Sequence, residues 1–159
     1  MKLLFENFRK FLSENSANDI IEIIDRLKEK GWDPDAIKYH KDMNPPFVEI
    51  EQIISNLDDY TPMKNVGLIS SAEMKISEED KEARQGRYDD YKAAKSSGEK
   101  AMYFRDTYED PDSMEFKNTT PVTLIQHSDG SYEVVDGIHR VFLAQKKKAY
   151  LPAWVVKLK

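Results

Sequence analysis

Apolar residues in the N-terminal third recur at the spacing of amphipathic helices. The first stripe falls within residues 3–12 and consists of Leu4, Phe5, Phe8, Phe11 and Leu12. The second follows a capping sequence at residues 16–19, ends at Gly31, and consists of Ile20, Ile21, Ile23, Ile24 and Leu27. Together they predict a helical hairpin over residues 1–45 that packs in the core, although such stripes can also lie on a membrane or a partner.

The hydrophobic pattern then changes twice before residue 119. Phe47-Val48-Glu49-Ile50 alternates as a short strand does, and residues 51–57 predict one or two helical turns. We therefore assign residues 46–57 to a first core strand and helix. Residues 58–118 are predicted to form a helical insertion, whose main element is a strongly charged helix from a cap at Ser77 to about Ala94.

The pattern is clearest over residues 119–159. Residues 121–126 form a β-branched run, Asp129-Gly130 fits a type I′ hairpin turn, and residues 132–135 predict the return strand. After Gly137 the apolar period becomes that of a helix, and residues 150–158 predict a closing strand. The whole pattern predicts a single α+β domain with a small mixed β-sheet, an N-terminal helical hairpin and a helical insertion.

Composition limits the location and the chemistry. The chain has no cysteine, which excludes disulfides, thiolate nucleophiles and Cys-ligated zinc. No apolar run approaches the roughly 20 residues that a membrane span needs, and we expect a cytoplasmic protein without a membrane partner. The net charge of −5 is uneven, because residues 137–159 hold six basic residues and no acidic one. Such an end attracts DNA or a phosphorylated ligand through Arg140 and Lys146, Lys147 and Lys148, unless these lysines only complement a helix dipole.

The turn Asp136-Gly137-Ile138-His139-Arg140 joins the return strand directly to the next helix. Its glycine permits a sharp turn, so the first N–H groups of the helix point at open space and, with the helix dipole, favour an anion. His139 and Arg140 add directional donors to a phosphate. Asp136 would repel a bare anion, and it fits better as a ligand for Mg²⁺ that travels with a nucleotide, or as a base that activates a hydroxyl.

Each of these residues also has a purely structural explanation. Gly137 could serve the turn alone, Asp136 could cap the helix, and His139 could be an ordinary helix residue. Arg140 could pair with an acidic residue of the insertion. Residue types and spacing leave both interpretations open.

The order of elements in the last forty residues resembles the ParB/sulfiredoxin-like superfamily. The resemblance rests on residues 121–125, 129–144 and 151–156, with a plausible first strand near residues 47–53. Members include chromosome-partitioning CTP switches, sulfiredoxins and a free-serine kinase, and the domain is often labelled ParB-like nuclease. The resemblance implies a site for ATP or CTP with Mg²⁺. The nucleotide would be bound by Gly137, Ile138, His139 and Arg140. Asp136 would be the catalytic residue or the carboxylate that meets Mg²⁺.

The sequence also departs from those members. Ile138 occupies the position of the sulfiredoxin cysteine, which excludes sulfinic acid reduction, and also the position where partition proteins tend to carry a glutamate. No helix-turn-helix follows, so specific DNA binding of the partition type is not expected. The short size and the insertion are compatible with a phage or mobile-element accessory protein.

Three functions therefore compete. The first is a nucleotide- or phosphate-binding protein with phosphotransferase or phosphohydrolase activity, and the second is a non-catalytic module that binds DNA or another partner. The third and weakest is a nuclease that uses His127, Asp129 and Asp136, because a hairpin places Asp129 at the far end of the strand from Asp136.

Overall fold

The computed structural model of the chain describes residues 17–97 and 114–159. The helix predicted over residues 3–12 and the segment from 99 to 113 lie outside these ranges. Within them, none of the helices combines the length and the apolar character that crossing a membrane requires.

Five strands of the described residues form one mixed sheet. They are β1 Lys64–Ser70, β2 Met74–Lys75, β3 Val122–Gln126, β4 Tyr132–Asp136 and β5 Tyr150–Lys157, and their order across the sheet is β1-β5-β3-β4-β2. The pairs β3–β5 and β2–β4 are parallel, whereas β1–β5 and β3–β4 are antiparallel. The α-helices are α1 Ala17–Glu29, α2 Pro34–Lys41, α3 Glu51–Ile54, α4 Glu78–Ser97 and α5 Ile138–Lys146. The prediction of an α+β fold with a small mixed sheet is confirmed.

Helices cover both faces of the sheet, which buries its central strands on two sides. In β3, Leu124 belongs to the apolar cluster of α4 and α5, whereas Ile125 belongs to the cluster of α1, α2 and α3. In β5, Val155 belongs to the cluster of α4 and α5, and Trp154 belongs to the cluster of α1, α2 and α3. Successive side chains of a strand point to opposite faces, so a strand that is covered twice needs an unbroken apolar run.

The helices predicted from their caps are confirmed as α1 and α4. At the start of α4 the Ser77 hydroxyl accepts a hydrogen bond from the Asp80 N–H at 3.1 Å and donates one to its carboxylate at 2.9 Å. This exchange satisfies one of the free N–H groups of the first turn, as a capping sequence should. The helix continues past the predicted end near Ala94 to Ser97.

The strand predicted at Phe47–Ile50 is wrong, and the helical insertion predicted over residues 58–118 also contains two strands. Residues Val48–Ile50 form a 3₁₀ turn that leads into α3, because Ile50, Ile53, Ile54 and Leu57 are buried together at helical spacing. The first strand is β1, which lies inside the predicted insertion with β2 close behind it. Most of β1 is exposed at the edge of the sheet, so it lacks the alternation that marks a half-buried strand.

The hairpin between β3 and β4 exists, but its turn is not type I′. A type I′ turn needs positive φ at both central residues, and in this loop only Gly130, at 86°, has it. The Gly130 N–H donates to the His127 carbonyl, and the His127 N–H donates to the Ser131 carbonyl, both at 2.9 Å. The connection is therefore a three-residue loop with a left-handed glycine at its last position.

Candidate functional site

The turn that precedes α5 requires glycine for two independent reasons. Gly137 is the N-cap residue and has a φ of 94°, in the left-handed region. A Cβ at this position would lie 2.7 Å from Cγ1 of Val122 on β3 and 3.0 Å from Nη2 of Arg140. The sharp turn predicted here is thus confirmed, and at this turn the backbone lies close to the Val122 side chain of β3.

All five residues of the predicted turn line one cavity. Its volume is about 370 Å³, and its walls are Glu49, Arg84, Val135 and residues 136–140. The first intrahelical hydrogen bond runs from the Val141 N–H to the Gly137 carbonyl at 2.9 Å. The N–H groups of the three residues between them precede the helical ladder, and these residues form one side of the cavity.

Asp136 and Arg140 form an ion pair inside this wall. Nη2 of Arg140 lies 3.6 Å from Oδ2 of Asp136, and the two side chains are only 20% and 13% exposed. The same guanidinium donates to the Thr120 carbonyl, and to the Tyr39 hydroxyl at 3.4 Å. Arg140 therefore pairs with Asp136 and not, as one interpretation of the sequence had it, with an acid of the insertion.

Burial raises the pKa of Asp136 above its ordinary value. The Arg140 charge and hydrogen bonds from Tyr39 and the Gly137 N–H act in the opposite direction, but they are outweighed. Oδ2 is buried and accepts no hydrogen bond from the described residues. The N-cap of α5 is Gly137 and has no side-chain cap, so the interpretation of Asp136 as a plain helix cap is wrong.

His139 is a neutral imidazole at pH 7. Its pKa is lowered to about 4, first by burial and then by the positive charges of Arg84 and Arg87. A neutral imidazole can donate one hydrogen bond and accept another. The electrostatic effect also places two arginines of α4 near the start of α5, which the sequence did not predict.

Tyr39, Glu49 and Arg84 are site residues that sequence reasoning missed. They come from α2, from the 3₁₀ turn before α3 and from α4, and nothing in their local sequence connects them to the turn. One signal existed for Arg84. It stands four and seven residues before Tyr88 and Tyr91, so it shares the helical face that buries both tyrosines.

The tyrosines of α4 pack in the core. Tyr88 and Tyr91 are buried, and the Tyr88 ring meets the Phe142 ring at a centroid distance of 6.3 Å. Both tyrosines therefore contribute to the core between α4 and α5.

The lysines at the end of α5 do not join Arg140 in one surface. Lys146 donates to the Gln85 side chain and lies over the rings of Tyr88 and Phe142, at 5.6 and 5.2 Å from their centroids. It thereby links α5 to α4 at the end of the helix opposite to Arg140. Lys147 is the C-cap residue, and Lys148 follows it with a φ of 52°.

The structure does not bring His127, Asp129 and Asp136 together. The first two lie in the hairpin loop at the start of β4, and Asp136 ends that strand. His127 instead has Glu133 as a neighbour, with 3.4 Å between Nε2 and Oε1. Across residues 17–97 and 114–159, no group of three His, Asp or Glu side chains is arranged to hold a metal ion.

A second cavity, of about 540 Å³, shares His139 and Arg140 with the first. Its remaining walls are Tyr39, Leu143 and residues of the segment 114–120, which precedes β3. The side chains of His139 and Arg140 therefore lie between the two cavities and line both of them.

Comparison with known proteins identifies no relative of this chain. No family model, no curated protein and no solved structure matches the chain. The resemblance to the ParB/sulfiredoxin-like superfamily therefore stays a prediction that rests on the residues quoted for it.

Proposed function

We propose that the cavity at the start of α5 binds the phosphate groups of a nucleotide, ATP or CTP, that carries Mg²⁺. The observation that supports this is the meeting of three kinds of donor in one cavity. They are the N–H groups of the first helical turn, the imidazole of His139 and the guanidinium of Arg84. Donors of this kind favour phosphate oxygens, and the helix dipole adds to the attraction.

The acidic groups in the same cavity suit a nucleotide better than a bare anion. Mg²⁺ that arrives with phosphates needs only one or two carboxylates from the protein. Asp136 and Glu49 line the cavity and would supply them. When bound, the ion would neutralise charge on the phosphate oxygens.

Asp136 has a second use, as a proton acceptor. A buried carboxyl with a raised pKa holds a proton more readily than an exposed one, which is what a general base at neutral pH needs. The larger neighbouring cavity is where a hydroxyl-bearing acceptor or the nucleoside would lie. This makes phosphotransfer or phosphate hydrolysis the proposed activity and a passive nucleotide site the alternative.

Calorimetric titration with ATP, CTP, GTP and ADP in the presence of Mg²⁺ tests the proposal. We expect saturable binding of at least one triphosphate, and we expect His139→Ala to weaken it. Asp136→Asn then distinguishes an enzyme from a passive nucleotide site. The substitution should abolish turnover in an enzyme but leave a passive site able to bind the nucleotide. Failure of every nucleotide to bind would contradict the proposed function, and binding of a DNA duplex alone would favour the non-catalytic module.

A further inference from the structure

We propose that Arg84 of α4 is the guanidinium that binds the outer phosphates of the ligand, and that Arg140 positions the turn. The site would then take an oligophosphate, with one phosphoryl group at the helix start and another at Arg84. This inference rests on the proposed function and deepens it, because it names both the ligand class and the residue that selects it.

Arg84 has a buried donor without a partner in the part of the chain that the structure describes. It lines the cavity with Gly137 and His139, and its Nε is buried without a hydrogen-bond partner among the described residues. A buried donor without an acceptor destabilises the protein, and removing the charged group or supplying an acceptor relieves this. A phosphate oxygen in the cavity is an acceptor of the right charge.

Arg140 differs from Arg84 in this respect. Its guanidinium is held by the Thr120 carbonyl, the Tyr39 hydroxyl and the Asp136 carboxylate, which belong to three separate elements of the chain. To bind a ligand fully, Arg140 would have to leave these groups and expose a buried carboxylate. Its position is therefore that of a support for the turn, even though the sequence pattern points to it as the phosphate ligand.

Electrostatics place Arg84 close to the start of α5. Of the two charges that lower the pKa of His139, Arg84 has the larger effect and Arg87 the smaller. The two arginines face the turn from α4, whereas the helix N–H groups approach the cavity from α5. A ligand that contacts both sides at once needs negative charge at more than one point, which an oligophosphate offers.

Titration of the full chain with inorganic triphosphate, pyrophosphate and orthophosphate, each in the presence of Mg²⁺, tests the inference without any assumption about the base. We expect triphosphate to bind more tightly than orthophosphate. Arg84→Ala should weaken triphosphate binding by about tenfold to a hundredfold, which is the usual effect of losing one charged hydrogen-bonding group. Arg84→Lys keeps the charge but not the two-pronged geometry, and should recover part of the loss.

Lys81→Ala is the matched control. It removes the same charge from the same helix, but the Lys81 side chain is 44% exposed and pairs with Glu78 at 3.3 Å outside the cavity. We expect its triphosphate affinity to stay within about twofold of the parent protein, because exposed charges are strongly screened. Circular dichroism and the Tm of each variant confirm that the fold is retained.

The outcomes separate the inference from the proposed function. If the parent chain binds triphosphate and both Arg84 variants bind it equally well, Arg84 is not a ligand, and the phosphate site still stands. If the parent chain binds none of the three phosphates, the inference is wrong, and the nucleotide titration decides the proposed function separately. Equal losses in Arg84→Ala and Lys81→Ala would reduce the effect to overall charge and would also overturn the inference.

Discussion

The Arg140 guanidinium and the Asp136 carboxylate approach each other to 3.6 Å in a region where both side chains are mostly buried. An isolated charge in such a place is costly, and the partner offsets that cost. The Tyr39 hydroxyl, which is hydrogen-bonded to both, ties the pair to α2. The pair therefore joins the turn, the segment before β3 and α2.

Arg140→Ala should reduce the free energy of unfolding by roughly 3 kcal/mol at pH 7, because it leaves the buried Asp136 carboxylate without its cation. Urea denaturation of the parent and the variant measures this. The double variant Asp136→Asn with Arg140→Ala removes both charges and should recover part of the loss. Equal stability of Arg140→Ala and the parent protein would show that the ion pair contributes nothing.

Asp136→Asn should change stability in a direction that depends on pH. The pKa of Asp136 is raised in the folded state, so its contribution to stability is present below the unfolded pKa and is lost as the pH rises through the folded value. Relative to the parent, the variant should therefore be more stable at pH 7 than at pH 3. Urea titrations at the two pH values measure the difference.

Asp129→Asn is the matched comparison for that experiment. Hydrogen bonds from Ser131 lower the pKa of Asp129, so its ionised form stabilises the folded state above the unfolded pKa. Asp129→Asn should lose relative stability between pH 3 and pH 7, opposite to Asp136→Asn. If the two variants shift in the same direction, the buried environment described for Asp136 is wrong.

His40 should make the protein sensitive to mild acid. It is fully buried with Nε2 at 2.9 Å from Oγ1 of Thr123, and burial, with the nearby Arg140 charge, lowers its pKa to about 4. The unfolded chain binds a proton near pH 6.5 and the folded chain does not, so stability is lost as the pH falls between these values. From pH 7 to pH 5 His40 alone should account for a loss of roughly 2 kcal/mol.

Denaturation of His40→Gln at the same two pH values checks this assignment. Glutamine keeps a group that can hydrogen-bond to Thr123 but does not titrate, so the contribution of His40 should disappear. The contribution of His139, whose pKa is also lowered to about 4, should remain. An unchanged pH dependence in the variant would assign the effect to other groups, His139 first among them.

Gly137→Ala should destabilise the protein by roughly 2 kcal/mol or more, since it combines an unfavourable positive φ with a clash against Val122. Thermal unfolding measures the effect. Adding Val122→Ala removes the clash but not the backbone strain, so the double variant separates the two causes. A stable Gly137→Ala protein would mean that the turn can adopt another backbone geometry.

The C-terminal part of the fold could be predicted because its sequence is consistent at every level. β3 and β5 have β-branched runs, and Gly130 and Gly137 mark the turns. The spacing of apolar residues changes from that of a strand to that of a helix at the first residue of α5. β1 could not be predicted in the same way. Residues such as Val66 and Leu68 are exposed at the sheet edge, and pairing with β5, a long-range contact, determines that segment.

The candidate site divides similarly. Residues 136–140 are contiguous, so a local sequence pattern was enough to identify them as a group of candidate site residues. Arg84 and Tyr39 reach the turn only through the packing of α4 and α2. The spacing of Arg84 to the α4 tyrosines predicts which helical face it shares, but not its proximity to the turn. The distinction between a ligand-binding and a supporting arginine also depends on Thr120 and Tyr39, which a motif does not contain.

The position of β5 between β1 and β3 has a consequence for synthesis on the ribosome. β1 is translated some eighty residues before the strand with which it pairs, and β3 also waits for its parallel neighbour. Until residues 150–157 have left the exit tunnel, the apolar residues on both sides of β3 lack their central partner. A nascent chain stalled before that point would be a natural client for chaperones and proteases, whatever the finished protein binds.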